Sequence, residues 1–262
     1  MDHLKARTHR NISQLRERLS DYRVEITEGD LSEPDISFFP PTRQLIINYP
    51  PYSASHTRYL PMDEIPEEFK IIYRVNNALM CSDAIDDGGL MNPVPKEFLE
   101  TKYNVNSAGL LEKNRFAEEV FKFPLIETNE RQLREIPHFY QIDREMKYVW
   151  FDRYATHDLK ELKKSLQSEY IGPEKEYSKY SEARVDLRIA HDLAKAGPFD
   201  FGVPKEYCRT AGNRLKKGYE LYKKQRNMNC QTFEDVVNLI DEWLEDFGFE
   251  DDFEWVRTNQ IF

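Results

Sequence analysis

The sequence predicts an α+β fold, because two regions alternate apolar and polar residues as strands do, and the last third has helical periodicity. The alternating regions cover about residues 22–49 and 139–151, and each is interrupted by a short polar or proline-containing stretch. From Thr156 onward, apolar residues recur every three to four positions. Strands early and in the middle, followed by a run of helices, are typical of α+β proteins.

The first 80 residues predict a helix, three strands and a second helix. Leu4, Ile12, Leu15 and Leu19 have helical spacing among basic residues. Pro66 suits the first position of the second helix, since proline lacks the N–H that a first turn leaves unpaired. The predicted elements are a helix over 3–20, a strand over 21–27, a hairpin of 36–39 with 44–49, and a helix over 66–80.

The stretch from Ser82 to Pro95 predicts a loop, because aspartate, glycine and proline are concentrated there. It suggests a domain boundary within residues 83–106, between an N-terminal unit of residues 1–82 and a second unit of residues 107–262. A single domain of 262 residues is equally compatible with the length.

The second half predicts one further hairpin and several helices. Residues 139–142 and 146–151 have alternating aromatic and polar positions around Asp143, Arg144 and Glu145. The predicted helices cover residues 107–121, 157–169, 181–196, 204–227 and 233–247.

Composition excludes some functional classes. Glycine occurs 10 times, against roughly 18 expected at average usage, and no GxGxxG or GxxxxGK[ST] motif is present. Dinucleotide-binding and P-loop sites are therefore disfavoured. No apolar run approaches the length of a membrane span, there is no secretory leader, and the three cysteines form no CxxC pair. We expect a soluble, cytoplasmic protein with free thiols.

The acidic charge is concentrated at one end of the chain. Residues 233–262 hold ten acidic residues and one arginine, whereas the whole chain has a net charge of −10. Thr232 and Asp235 predict a capping box, and Gly248 predicts the end of an amphipathic helix. The apolar stripe of this helix contains Phe233, Val236, Val237, Ile240, Trp243, Leu244 and Phe247.

A basic segment precedes this acidic helix. Lys205 to Arg226 contains eight basic and two acidic residues. Neighbouring helices usually pack together, so one interpretation is that the two charges face each other within one chain; the alternative is that they meet a partner. The candidate partner-binding residues are Phe233, Val237, Ile240, Trp243, Leu244 and Phe247 of the acidic helix, and Lys216, Lys217, Lys223 and Lys224 of the basic segment.

These features predict a non-enzymatic assembly, adaptor or regulatory protein that requires no cofactor. Its partner is expected to be another protein, or its own oligomer, docked through the C-terminal helices. Nucleic-acid binding by residues 205–226 is a weaker alternative, because the pI is about 5.3 rather than above 9.

Two His-Asp dipeptides give an enzymatic alternative. His157, the pair His191 and Asp192, and the distant Asp241 occur in the ligand order of HD-type phosphohydrolases, which the segment from Leu187 to Lys195 resembles. The resemblance implies that these four residues hold a divalent metal that activates water against a phosphoester or nucleotide. Lys195 would then stabilise phosphate charge.

Overall fold

The structure is a computed structural model that describes residues 1–29, 36–49, 65–100, 108–167, 178–258 and 260–261. The α-helices in these ranges are α1 (Asp2–Arg18), α2 (Glu67–Met80), α3 (Ser82–Asp86), α4 (Lys96–Glu100), α5 (Ala108–Leu133), α6 (Pro137–Gln167), α7 (Ser178–Ala196), α8 (Lys205–Ala211), α9 (Arg214–Met228) and α10 (Phe233–Phe247). The strands are β1 (Arg23–Glu28), β2 (Ile36–Phe39), β3 (Gln44–Tyr49), β4 (Leu90–Pro95), β5 (Phe253–Thr258) and β6 (Gln260–Ile261). The predicted α+β class is confirmed.

The strands form two small sheets. The first has the order β1-β3-β2-β6, with β1 parallel to β3 and β2 antiparallel to both β3 and β6. The predicted hairpin of β2 and β3 is confirmed, and Arg43 closes its turn in the left-handed region at φ 48°. The second sheet pairs β4 with the distant β5.

The largest hydrophobic core is shared by residues from both halves of the chain. Leu45 and Ile47 of β3, Phe116 of α5, Leu187 of α7 and Trp243 of α10 are all buried in this one cluster. Helix α7 packs extensively against α5 and α9, and α10 packs against α5 and α9. The helical C-terminal third and the first sheet therefore share one hydrophobic core. The division into two units at residues 83–106 stays a prediction.

Residues 82–95 contain regular secondary structure where the sequence predicted a loop. It contains the short helix α3 and the strand β4, while residues 101–106 of the proposed boundary lie outside the described residues. Pro93 and Pro95 are tolerated in β4 because, among the described residues, this strand pairs on one side only, with β5. Aspartate and glycine after α3 form the turn, where Gly88 and Gly89 adopt positive φ.

The predicted hairpin at residues 139–151 is wrong, since this segment lies within α6. Phe139, Ile142 and Met146 share one buried face at helical spacing and pack against Phe69 and Ile72 of α2. The polar residues at 143–145 suggested a turn. In the fold, however, Asp143 is 2% exposed and paired with Arg134 and Lys147, so a charge occupies a core position.

The remaining helix predictions hold with small changes. Helices α1, α2, α5, α7 and α10 form where predicted, with α5 extending well beyond residue 121. The single helix predicted at 204–227 is divided into α8 and α9 at Gly212, whose φ is 55°. No helix in the described ranges combines the length and apolarity needed to cross a membrane.

Candidate docking surface

The acidic helix α10 begins and ends at the residues that the sequence indicated. The Thr232 hydroxyl accepts a hydrogen bond from the Asp235 N–H, and the Asp235 carboxylate accepts from the Thr232 N–H at 2.9 Å. The Gln231 N–H also donates to Asp235, and these backbone hydrogen bonds hold the pKa of Asp235 below its ordinary value. Gly248 ends the helix in the left-handed region at φ 68°.

The apolar stripe of α10 faces the interior of the chain. Phe233, Ile240, Trp243 and Leu244 are each at most 6% exposed, as are Val236 and Leu239 of the same helix. Of the remaining predicted docking residues on this helix, Val237 and Phe247 are half-buried against the same core. The aromatic stripe therefore contacts α5 and other elements of this chain.

The basic helix α9 presents one of its faces to α10. The Lys224 Nζ lies 2.8 Å from Asp246 Oδ2 and 3.6 Å from Glu242 Oε2. The hydrogen bond to Asp246 is the main cause that raises the pKa of Lys224. Lys217 lies one heptad earlier, with its Nζ 3.4 Å from the Asp246 carbonyl oxygen and 5.2 Å above the Phe247 ring. The opposite charges of the two helices do meet within one chain.

A second face of α9 is directed to solvent. Lys216, Tyr219 and Lys223, at i, i+3 and i+7, form what we call the basic stripe. The Lys216 side chain is 86% exposed and lies 3.9 Å from Glu220, while Tyr219 is 54% exposed. Within the described residues, Lys223 makes no ion pair. The predicted lysines therefore divide into Lys217 and Lys224, which hold α10, and Lys216 and Lys223, which do not.

Several carboxylates of the acidic segment have structural partners. Asp252 accepts hydrogen bonds from Tyr180 and Lys179, and its Oδ1 lies 3.5 Å from the buried Nζ of Lys113. Burial raises the pKa of Asp252, but these donors outweigh it and leave the pKa below its ordinary value. Asp241 accepts a hydrogen bond of 2.9 Å from the Trp255 indole.

The residues of the phosphohydrolase alternative have separate surroundings. The His191 ring stacks on Phe123 at a centroid distance of 4.4 Å, and burial lowers its pKa well below 6.5. Asp192 is buried and accepts a hydrogen bond of 2.7 Å from Tyr207. Asp241 pairs with Trp255. His157 lies on α6, and its side chain is outside the described set. Among described residues, no three His, Cys, Asp or Glu side chains are grouped to hold a metal.

A buried ion cluster between α5 and α6 was missed by sequence reasoning. Arg134 donates to Glu127 at 3.0 Å, to Glu130 at 2.8 Å and to Asp143 at 2.9 Å. Lys147 lies 3.3 Å from Asp143 and also donates to Glu130. Burial raises the pKa of Glu127 and of Asp143 despite both cations. The signal available in the sequence was the i, i+4 spacing of Glu130 with Arg134 and of Asp143 with Lys147.

Comparison with known proteins identifies no relative. The sequence matches no protein-family model, and no significant similarity connects it to a curated protein or to a solved structure.

Proposed function

We propose that this protein is a non-enzymatic adaptor or assembly component that binds an acidic segment of another protein on the basic stripe. The observation that carries the proposal is the division of α9 into two faces. Lys217 and Lys224 contact the chain's own acidic helix, whereas Lys216, Tyr219 and Lys223 are exposed. Arg209 of α8, whose side chain is 82% exposed, adds a further cation beyond the stripe.

Charge complementarity favours an acidic protein segment over nucleic acid. The chain as a whole carries a net charge of −10, which repels an extended polyanion at long range. A short acidic helix or loop presents only a few carboxylates, which two lysines can match. Tyr219 supplies an apolar surface with a hydroxyl, a combination enriched at protein interfaces.

Site-specific photocrosslinking tests this proposal. A benzophenone amino acid replaces Tyr219 on the stripe and, in a matched control protein, Tyr148 of α6, which is 60% exposed. We expect position 219 alone to crosslink a defined protein through a peptide rich in aspartate and glutamate. Adding Lys216→Glu and Lys223→Glu should abolish the product, because like charges then face each other. Arg10→Glu with Arg16→Glu on α1 makes the same change in net charge and should leave the product intact.

Three outcomes would overturn the proposal. The first is equal crosslinking from positions 219 and 148, and the second is a crosslinked peptide with no excess of acidic residues. The third is a product at position 219 that nuclease treatment removes, which would assign the stripe to nucleic acid.

A further inference from the structure

A cavity of about 220 Å³ lies between α5, α9 and the 3-10 turn Gly197–Phe199. Its wall contains Glu127, Arg131 and Arg134 from α5, Gly197 and Pro198 from the turn, and Tyr222, Gln225 and Arg226 from α9. The volume is below the roughly 300–1,000 Å³ of typical ligand pockets, so the cavity suits a small molecule.

Two of the charged groups on this wall already neutralise each other. Arg134 uses its Nε and both terminal nitrogens on Asp143, Glu127 and Glu130. Glu127, the carboxylate on the wall, is thereby held by Arg134 at 3.0 Å. These two residues therefore contribute little free charge to the cavity.

Two donor atoms on the wall, one on Gln225 and one on Arg131, lack acceptors among the described residues. Gln225 is 4% exposed, and its amide nitrogen has no hydrogen-bond partner in the part of the chain that the structure describes. Arg131 donates to the Cys230 carbonyl oxygen, while its buried Nε has no partner in the same described ranges. Within the described residues, neither Arg131 nor Arg226 makes an ion pair within 4 Å. A buried donor without an acceptor is destabilising, so this wall is complementary to a ligand that supplies oxygens.

Charge and shape point to the same class of ligand. Arg131 and Arg226 add two guanidinium groups to the three carboxylates and two cations of the ion cluster behind the wall, and Asp235 interacts electrostatically with Arg131. Planar guanidinium groups bind carboxylate and phosphate oxygens in pairs. The Tyr222 ring and Pro198 provide apolar surface for the rest of the molecule.

We propose that this cavity binds a small organic anion, with its carboxylate or phosphate oxygens on Arg131, Arg226 and Gln225 and its apolar part against Tyr222 and Pro198. The site lies on a different side of α9 from the contacts of Lys217 and Lys224 with α10. It borders the basic stripe, because the Tyr222 ring centroid lies 6.3 Å from that of Tyr219, but the proposal rests on the cavity's own donors and does not require docking on the stripe.

The experiment is an NMR titration of the ¹⁵N-labelled full chain. Benzoate serves as the probe that combines a carboxylate with a ring, benzamide is its neutral counterpart, and inorganic phosphate tests the oxyanion alone. We expect millimolar benzoate to shift the Gln225 side-chain amide and the Arg131 Nε–H saturably, and benzamide to leave them unshifted. Saturation by phosphate as well would assign the site to the oxyanion rather than to the ring.

Matched variants of α9 make the result specific. Arg226→Met should weaken benzoate binding by roughly tenfold, as expected when one charge-assisted hydrogen bond is lost. Lys216→Met removes an equal charge from the exposed stripe of the same helix and should leave the affinity unchanged. The proposal is overturned if neither anion gives saturable shifts at these two groups, or if the shifts are equally strong in Arg226→Met.

Discussion

Burial determines the protonation state of His191. Its ring is parallel to the Phe123 ring within 5°, and its buried Nδ1 has no hydrogen-bond partner among the residues that the structure describes. Burial is the main cause of the lowered pKa, and positive charges around the ring add to it. These charges come from three helices and belong to Lys195, Lys147, Arg188 and Lys122. The folded state therefore holds a neutral imidazole near pH 7.

Because His191 is neutral in the folded state, we expect the free energy of unfolding to decrease as the pH falls. Because the folded pKa is below 6.5, the unfolded chain binds the proton first as the pH falls through that value. The free energy of unfolding then decreases by up to about 1.36 kcal/mol per pH unit for this one group. His191→Phe keeps the stacked ring and removes the titration. We expect the variant to gain stability relative to wild type between about pH 7 and about pH 5, measured by urea denaturation.

A control separates this histidine from the rest of the chain. His9→Gln changes an exposed histidine of α1 and should leave the pH dependence of unfolding as in wild type. Parallel pH profiles for wild type and His191→Phe would contradict the assigned role of burial.

At the scale of elements, the sequence predicted correctly those features that depend on a few neighbouring residues. The bounds of α10 were predicted because its capping box and terminal glycine act within a few residues. The helix predicted at residues 157–169 lies within α6 as far as Gln167. The first half of α6 was predicted as a hairpin instead, because its buried face contains Asp143 and Lys147 among the apolar residues. Their burial depends on Glu130 and Arg134 of α5, and a single sequence does not display such partners.

At the candidate site, too, the features set by neighbouring residues could be predicted, and those set by packing between helices could not. The sequence indicated the charge of the basic segment and its apolar side. It did not indicate which lysines α10 would cover, because that depends on the rotation of α9 about its own axis. Five of the seven stripe residues predicted for α10 are buried, Val237 and Phe247 are half-buried, and Leu239, which the prediction omitted, is fully buried.

The packing of α9 on α7 requires a glycine. A Cβ added at Gly218 would lie 2.5 Å from Ile189 Cγ2, 2.7 Å from Ile189 Cβ and 3.2 Å from the Asp186 carbonyl oxygen. Alanine is the better helix former by ~1 kcal/mol. Overpacking, however, costs about 1–3 kcal/mol when the neighbours cannot move away. We expect Gly218→Ala to lower the free energy of unfolding by up to about 2 kcal/mol in chemical denaturation.

A double-mutant cycle identifies the contact responsible. Ile189→Ala removes Cγ2, the nearest atom that the new methyl group meets, and keeps Cβ, so Gly218→Ala should cost less stability in that background than beside isoleucine. An equal loss of stability from Gly218→Ala with either residue at position 189 would show that the Ile189 side chain beyond Cβ is not the obstacle.

At the scale of the whole molecule, the acidic segment is part of the core. Fully burying a large apolar side chain contributes about 1.5–3 kcal/mol, and α10 buries six at no more than 6% exposure. The sum is comparable with the entire stability of a typical domain, about 5–15 kcal/mol. We therefore expect deletion of residues 233–262 to abolish the cooperative unfolding transition, measured by circular dichroism on heating.

Charge removal within the same segment provides the matched control. Glu234→Gln with Glu245→Gln changes two exposed carboxylates of α10 that make no ion pair among the described residues. This variant should unfold cooperatively, as wild type does, because surface charges contribute little to stability. A deleted chain that still unfolds cooperatively would mean that the remaining residues form a core without α10.

The pairing of β4 with β5 also constrains the order in which a ribosome-bound chain can fold. Residues 90–95 leave the ribosome long before residues 253–258, their hydrogen-bonding partners, have been synthesised. Lys113 likewise enters its aromatic surroundings of Tyr180 and Phe253 only after Asp252 has been added. During translation the nascent chain therefore carries an unpaired strand edge, the kind of surface that chaperones protect. Of the two carboxylates that pair with Lys113 among the described residues, only Glu97 has then been synthesised. The fold can be completed only after residues 233–262 have emerged from the ribosome.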